Sequence, residues 1–141
     1  MKRYYDMIIF TAAVKEYADI VIDHLESEGK LFSKRLYRDS IRLDKEGENI
    51  KDLSLINEDL SKTIIIDNTP ENFLKQKANG IFIKSWYGDP NDNSLLDLVP
   101  ILKSIVSNEI EDVRLFLDSY KREMIENIRK GCLNPGALRD Q

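Results

Sequence analysis

With 141 residues, 42% of them hydrophobic and 33% charged, the chain has the size and balance of one folded domain with its own core. A formal net charge of −4 argues against a general nucleic-acid binder, whose phosphate contacts need a basic surface, so no direct nucleic-acid partner is expected. The single cysteine, Cys132, excludes an internal disulfide framework and points to a reducing compartment, the nucleus or the cytoplasm.

The apolar run that follows Met1 to Asp6 is too short for a signal-peptide core, and no stretch has the length of a membrane span. Met7 to Phe10 is continuously apolar, which predicts a strand buried on both faces of a parallel sheet. A helix is expected from about Val14 to Ser27, with Val14, Tyr17, Val21 and Leu25 on one stripe and Gly29 as its stop. His24 lies on this helix among Asp23 and Glu26, where a solvated role is expected. Arg35 to Arg38, Ile41 to Leu43 and Glu48 to Ile50, around the turn residues Asp44 to Gly47, read as a small antiparallel hairpin laid over the sheet. Thr63 to Ile66 repeats the buried-strand pattern, and Ile81 to Ile83 is a third, shorter strand. Trp86 and Tyr87, just before Gly88, are expected to anchor packing, with the lining of a peptide groove as the alternative. Asp89 to Asn93 is loop and helix-start chemistry, leading into Leu95, Leu98, Leu102 and Ile105 at helical spacing. A last helix from Glu109 to Lys130 carries Ile110, Val113, Leu117, Tyr120, Met124 and Ile128 and stops at Gly131. Residues 132–141, with Asn134, Pro135 and Gly136, read as a disordered tail.

In an open parallel sheet, ligands bind beyond the carboxyl ends of the strands. Thr11 directly follows Phe10, and Asp67 with Asn68 directly follow Ile66. A hydroxyl able to donate to a phosphoryl oxygen, an ammonium against phosphate, and an Asp-Asn pair offering hard oxygens to Mg²⁺ are what a phosphoryl-transfer site requires. Thr11, Lys51 and Asp67 with Asn68 supply them. Each also has an ordinary alternative: Thr11 as a turn or cap residue, Lys51 as a solvated lysine, and Asp67-Asn68-Thr69-Pro70 as an Asx or proline turn.

Taken together, the segments resemble one family. Phe10-Thr11-Ala12-Ala13 with Tyr17-Ala18-Asp19, Arg35-Leu36-Tyr37-Arg38-Asp39-Ser40, Ile50-Lys51-Asp52-Leu53-Ser54, Ile66-Asp67-Asn68-Thr69-Pro70, Lys84-Ser85-Trp86-Tyr87-Gly88-Asp89 and Leu95-Leu96-Asp97-Leu98-Val99-Pro100 follow one another in order. They resemble the successive motifs of the NLI-interacting-factor-like phosphatases, which comprise the small RNA polymerase II C-terminal-domain phosphatases and their Dullard relatives, in the haloacid dehalogenase superfamily. The resemblance implies a Rossmann-like α/β fold with a mostly parallel sheet and a small β-hairpin insertion: a phosphatase-like domain over 1–107, with a helix packed on it over 108–131. It implies Mg²⁺-dependent dephosphorylation of Ser or Thr in a protein or peptide substrate, through an aspartyl-phosphate. On this basis Thr11 and Lys51 bind the phosphoryl group, Asn68 ligates Mg²⁺ with Asp67 in support, and Arg38 and Tyr17 face the phosphopeptide.

The family places its nucleophile and acid-base group on an Asp-x-Asp-x-Thr/Val motif at the end of the central strand, and no Asp-x-Asp pair occurs in this sequence. The expectation is therefore a truncated chain that lacks the first, central strand, is inactive alone and binds Mg²⁺ weakly. The alternative to truncation is a genuine short protein, whose slot between the strands ending at Phe10 and Ile66 is filled by re-pairing, by a partner's strand, or by a second copy in a strand-swapped homodimer. The alternative is a noncatalytic phosphopeptide- or protein-binding module, either a pseudophosphatase or a relative of the mitochondrial import receptor of the same fold. Retention of Asn68 favours phosphatase ancestry.

Overall fold

The computed structural model describes residues 1–131. Cys132 and the tail expected over 132–141 lie outside the described residues. After Lys51 the chain divides into two units.

In the first unit, β1 (Ile8–Phe10) leads through α1 (Lys15–Leu25) to β2 (Lys34–Leu36), and the two strands pair in parallel with Ile8 opposite Lys34 and Phe10 opposite Leu36. A parallel pair needs a long crossover, and the helix provides it. Arg35 and Leu36 thus belong to a parallel strand and not to the expected hairpin. That hairpin is confined to β3 (Arg42–Leu43) and β4 (Asn49–Ile50), which pair antiparallel. Its turn is built by Asp44, whose carboxylate accepts the N–H groups of Glu46 and Glu48, and by Gly47 at φ 82°. All three residues of β1 are half-buried, short of the burial on both faces that their apolar run predicts. β1 is an end strand, paired on one side alone.

The buried face of α1 also differs from the expected one. Ala18 and Ile22 are buried, whereas Val14, Tyr17, Val21 and Leu25 are exposed. The neighbouring carboxylates explain the rotation: Arg35 on β2 pairs with Asp19, Asp23 and Glu26, and the Tyr37 hydroxyl donates to Asp19. Asp19, Asp23 and Glu26 recur at helical spacing on a stripe next to buried Ala18 and Ile22, so their pairing with Arg35 turns that side of the helix toward β2. Hydrogen bonds from Lys15, Tyr37 and Arg35 hold the Asp19 carboxyl well below the usual carboxylate range. Arg35, with the N–H groups of Leu31 and Phe32, lowers Glu26 to about 2. His24 is exposed, as expected.

The second unit opens with a 3₁₀ turn at Leu53–Leu55 and continues into β5 (Ile65–Asp67) and β6 (Gly80–Phe82), again a parallel pair, with Ile65 opposite Gly80 and Asp67 opposite Phe82. The crossover Pro70–Asn79 is a 3₁₀ path broken at Phe73 and Gln76, which no hydrophobic periodicity announces. Leu53, Ile65 and Phe73 form a core cluster, with Ile56, Leu60 and Phe82 packed against it. Buried Asn79 closes the crossover by donating to the Leu60 and Thr63 carbonyls at 2.7 and 2.8 Å.

A 3₁₀ turn at Leu96–Leu98 enters α2 (Val99–Ser107), with Pro100 in its first turn, where a missing N–H costs nothing. Leu98, Leu102 and Ile105 are buried, as their spacing predicts, together with Ile101, while Leu95 is exposed. The last helix, α3 (Val113–Arg129), begins four residues later than Glu109. Glu109 takes φ 50°, a left-handed turn that ends the preceding path, and Asp112 accepts the Arg114 N–H at the new helix start. Ile110 therefore precedes the helix. Val113 and Leu117 are buried and Tyr120 and Met124 half-buried; the Ile128 side chain lies outside the described ones. Among the described residues no helix is long and apolar enough to cross a membrane. Among the described residues two of the three ladders are parallel, and β1 and β5 belong to separate two-stranded sheets, a pattern compatible with an α/β protein.

Candidate functional site at the strand ends

Thr11 stands at the carboxyl end of β1. Its N–H donates to the Leu36 carbonyl at 2.9 Å, extending the ladder by one bond, and its Oγ1 accepts the Ala13 N–H at 3.1 Å. The turn role proposed as its ordinary alternative is therefore real, and a hydroxyl that accepts in this way still carries a proton to donate. Arg38 is drawn to the same loop, with Nε donating to the Ala12 carbonyl at 2.8 Å and its backbone N–H to the Ala13 carbonyl at 3.1 Å. Its guanidinium is exposed, as is Tyr17 on α1.

Lys51 is not the solvated lysine of its ordinary alternative. Only 8% of it is exposed, and its Nζ lies 5.9 Å from the centroid of the Phe10 ring, within cation–π range at the end of β1. The structure thus gathers Thr11, Arg38 and Lys51 around the last residue of β1. The aromatic face holds the largely buried ammonium at the end of β1.

The next residue, Asp52, opens the second unit and is fully buried. Its Oδ1 accepts the Ser54 N–H (3.0 Å), the Ser54 hydroxyl (2.7 Å) and Gln76 Nε2 (2.8 Å), and its Oδ2 accepts Lys75 Nζ at 2.7 Å. Gln76 Oε1 returns the contact by accepting the Leu53 N–H at 3.2 Å. The Lys75 ammonium leads the groups that hold this carboxyl well below its ordinary range. Sequence reasoning did not single out Asp52; the Asp-x-Ser spacing, an Asx-turn signature, was the available signal.

In the second unit Asp67 is the last residue of β5 and is 7% exposed. Its Oδ1 accepts the Thr69 N–H at 2.9 Å, its two oxygens share Asn72 Nδ2 at 3.4 Å, and its carbonyl accepts the Ile83 N–H at 3.1 Å. Asn68 is exposed, its Nδ2 donating to Ser85 Oγ at 3.0 Å. The amide is thus anchored by its nitrogen, and its Oδ1 accepts a 3.4 Å contact from the Thr69 hydroxyl. Ser85 is a partner that sequence reasoning missed, since nothing local marks a serine seventeen residues away as the one that orients an asparagine.

Asp67 and Asn68 present the oxygen donors that Mg²⁺ takes, and Mg²⁺ commonly needs only one or two protein oxygens, completing its octahedron with water and substrate phosphate. Among the described residues no group of three or more His, Cys, Asp or Glu gathers to hold a metal. The pair therefore fits a share of a Mg²⁺ shell and not a self-sufficient metal site.

Polar groups stand at the ends of parallel strands in each unit, Thr11 in the first and Asp67 with Asn68 in the second, in a protein of mixed α/β type. Residues 1–114 match the model of the NLI interacting factor-like phosphatases, and the chain belongs to that family. It is 43% identical over 117 residues to a probable C-terminal domain small phosphatase of Dictyostelium discoideum, covering 83% of this chain and 37% of the relative. It is 35% identical over 125 residues to CTD nuclear envelope phosphatase 1B of Danio rerio, covering 82% and 51%. It is also 36% identical over 121 residues to the mitochondrial import inner membrane translocase subunit TIM50 of Candida albicans, covering 86% and 25%. The chain thus spans from about a quarter to about half of the length of these relatives.

Proposed function

We propose that the chain is the phosphoryl- and metal-holding portion of a Mg²⁺-dependent protein Ser/Thr phosphatase domain of the C-terminal-domain phosphatase type. The observation that carries this reading is the Asp67-Asn68 pair at the end of β5, with the Asn68 amide nitrogen anchored to Ser85. In this role Thr11 and Lys51 bind phosphoryl oxygens, Asn68 with Asp67 holds Mg²⁺, and Arg38 and Tyr17 meet the phosphopeptide. Bound Mg²⁺ would supply charge neutralisation on the phosphoryl oxygens. Lys51 adds a fixed positive charge, and Thr11 a directed O–H.

The carboxylate that attacks phosphorus and the one that protonates the leaving alkoxide are not among these residues, because the sequence holds no Asp-x-Asp pair. The 141-residue chain is accordingly expected to release no phosphate from a phosphoserine peptide or an aryl phosphate, while binding the peptide in a Mg²⁺-dependent manner. Asn68→Ala is expected to weaken that binding at least tenfold, and Lys51→Met to do so with or without Mg²⁺. Phosphate release by the purified chain, or binding indifferent to Mg²⁺ and to the phosphate, would overturn the assignment. A noncatalytic protein-binding module is the second reading, favoured by the likeness to the translocase subunit. It is selected if the unphosphorylated peptide binds as tightly as the phosphorylated one. A nuclear or cytoplasmic location and a strand-swapped homodimer belong to the same proposal, the latter checked by the mass of the chain in solution.

A further inference from the structure

The loop after β6 carries two largely exposed aromatic side chains. Trp86 is 69% exposed and Tyr87 91%, so neither is the packing anchor expected from sequence. The Trp86 ring is held outward by its own loop: its Nε1–H donates to the Asp89 carbonyl at 3.0 Å, across a turn in which Gly88 takes φ 85°. At that φ a β-carbon would be strained, so glycine fixes the turn that presents the indole. Leaving so much aromatic surface in water forgoes the burial that ordinarily justifies these residues, and exposed loop aromatics on a rigid base are binding elements.

The loop's position says what it meets. Ser85, immediately before Trp86, receives the Asn68 amide, and the Ile83 N–H is bonded to the Asp67 carbonyl. The aromatic pair is therefore continuous with the proposed metal-holding pair on one rim of the β5–β6 sheet. Between Lys84 and Asp97 there is one lysine, whose charge already acts on Asp92, against three aspartates, Asp89, Asp92 and Asp97, so the segment is net negative. Asp89 and Asp92 each spend one oxygen on a backbone N–H within the loop, of Asn91 and Ser94. Exposed indole and phenol faces beside carboxylates fit a cation, and Trp is the best of the aromatic side chains for a guanidinium or ammonium.

We propose that Trp86 and Tyr87, with Asp89 and Asp92, form a subsite for an arginine or lysine flanking the phosphorylated residue of a peptide substrate. This rests on the phosphopeptide reading above and names the sequence context that the same rim selects.

Trp86 is the one tryptophan in the chain, so its fluorescence reports directly on the subsite. Phosphoserine peptides identical except for an Arg, Leu or Glu neighbour are titrated with Mg²⁺ into the full chain. The Arg peptide is expected to bind at least fivefold tighter than the Glu peptide, with the Leu peptide between them, and to shift the tryptophan emission. The Arg advantage should fall as salt is raised. Calorimetry with Trp86→Ala, an exposed position whose truncation leaves the core intact, should show the Arg preference reduced, with Trp86→Phe restoring part of it. Asp89→Asn with Asp92→Asn should reduce the Arg-over-Leu difference and its dependence on salt. Mg²⁺-dependent peptide binding with no Arg preference, or a preference unchanged in Trp86→Ala, overturns the subsite and leaves the phosphopeptide reading standing. Tryptophan quenching by Arg-bearing peptides regardless of phosphate and Mg²⁺ overturns the phosphopeptide reading, and with it the role of the subsite in phosphosubstrate selection.

Discussion

Asp52→Ala is expected to destabilise the second unit by about 3 kcal/mol, the range for removing a buried charge with several hydrogen bonds. The loss has named parts: the Lys75 ion pair, the Gln76 amide, and both donors of Ser54. Lys75 is half exposed and can return to water, which keeps the cost below that of stranding a buried cation. Gln76 cannot leave so easily, because it also holds the Leu53 N–H. Leu53 in turn belongs to the core cluster with Ile65 and Phe73, so the carboxylate fixes the turn that seats a core residue. Asp52→Asn, which keeps the shape and loses the charge, should cost about half as much.

The pH dependence has a defined sign. The folded-state pKa of Asp52 is depressed, so its contribution is complete above the ordinary value of 3.8. It is lost as pH falls, because the unfolded chain takes the proton first. Urea midpoints measured from about pH 5 down to pH 3 should therefore fall less steeply for Asp52→Asn than for the parent chain. Asp19 and Glu26 are depressed as well, so the slope is reduced and not abolished. Equal slopes and a midpoint unchanged by Asp52→Ala would show that the network contributes no stability.

Much of this was legible in the sequence where chemistry is local. The strand ends that carry Thr11 and Asp67 follow from continuous apolar runs that stop at a polar residue, and the Asp44 turn from its residues. The family was legible from the order of short motifs, and the match over residues 1–114 bears it out. What was not legible depends on residues distant in sequence. The rotation of α1 is set by Arg35 on β2 and not by the helix's own apolar stripe, which stays in solvent. β2 itself was hidden because Lys34-Arg35-Leu36 has one apolar residue and resembles hairpin chemistry. The broken 3₁₀ crossover has no periodicity to read, and the orientation of Asn68 depends on Ser85, which a local reading cannot pair with it. Burial of Lys51 was missed for the same reason: the ring that meets it, Phe10, lies far earlier in the chain.

Gly80→Ala is the second substitution with a large expected effect, and its reason is close approach alone. Gly80 has φ −96° and ψ 138°, a strand conformation that alanine adopts freely. A β-carbon there would lie 2.2 Å from Cδ2 and Cε2 of Phe73, a ring that is 4% exposed and central to the core cluster. Either the ring leaves its place or β6 moves off β5, and overpacking of this kind costs about 2–3 kcal/mol. Gly80→Val should cost more. Phe73→Leu relieves the clash, so in its background Gly80→Ala should lose less than half as much, a coupling of about 1 kcal/mol or more in a double-mutant cycle. The functional consequence follows from the register. Phe82 on β6 pairs with Asp67, and β6 runs directly into Ile83 and Ser85, which hold the Asp67 carbonyl and the Asn68 amide. Gly80→Ala is therefore expected to weaken Mg²⁺-dependent phosphopeptide binding as well as stability, and Phe73→Leu to recover both together. Full stability of Gly80→Ala, measured by urea midpoint, would mean that Phe73 yields without cost and would remove the basis for the coupling. Recovery of stability without recovery of binding would instead separate the core from the rim.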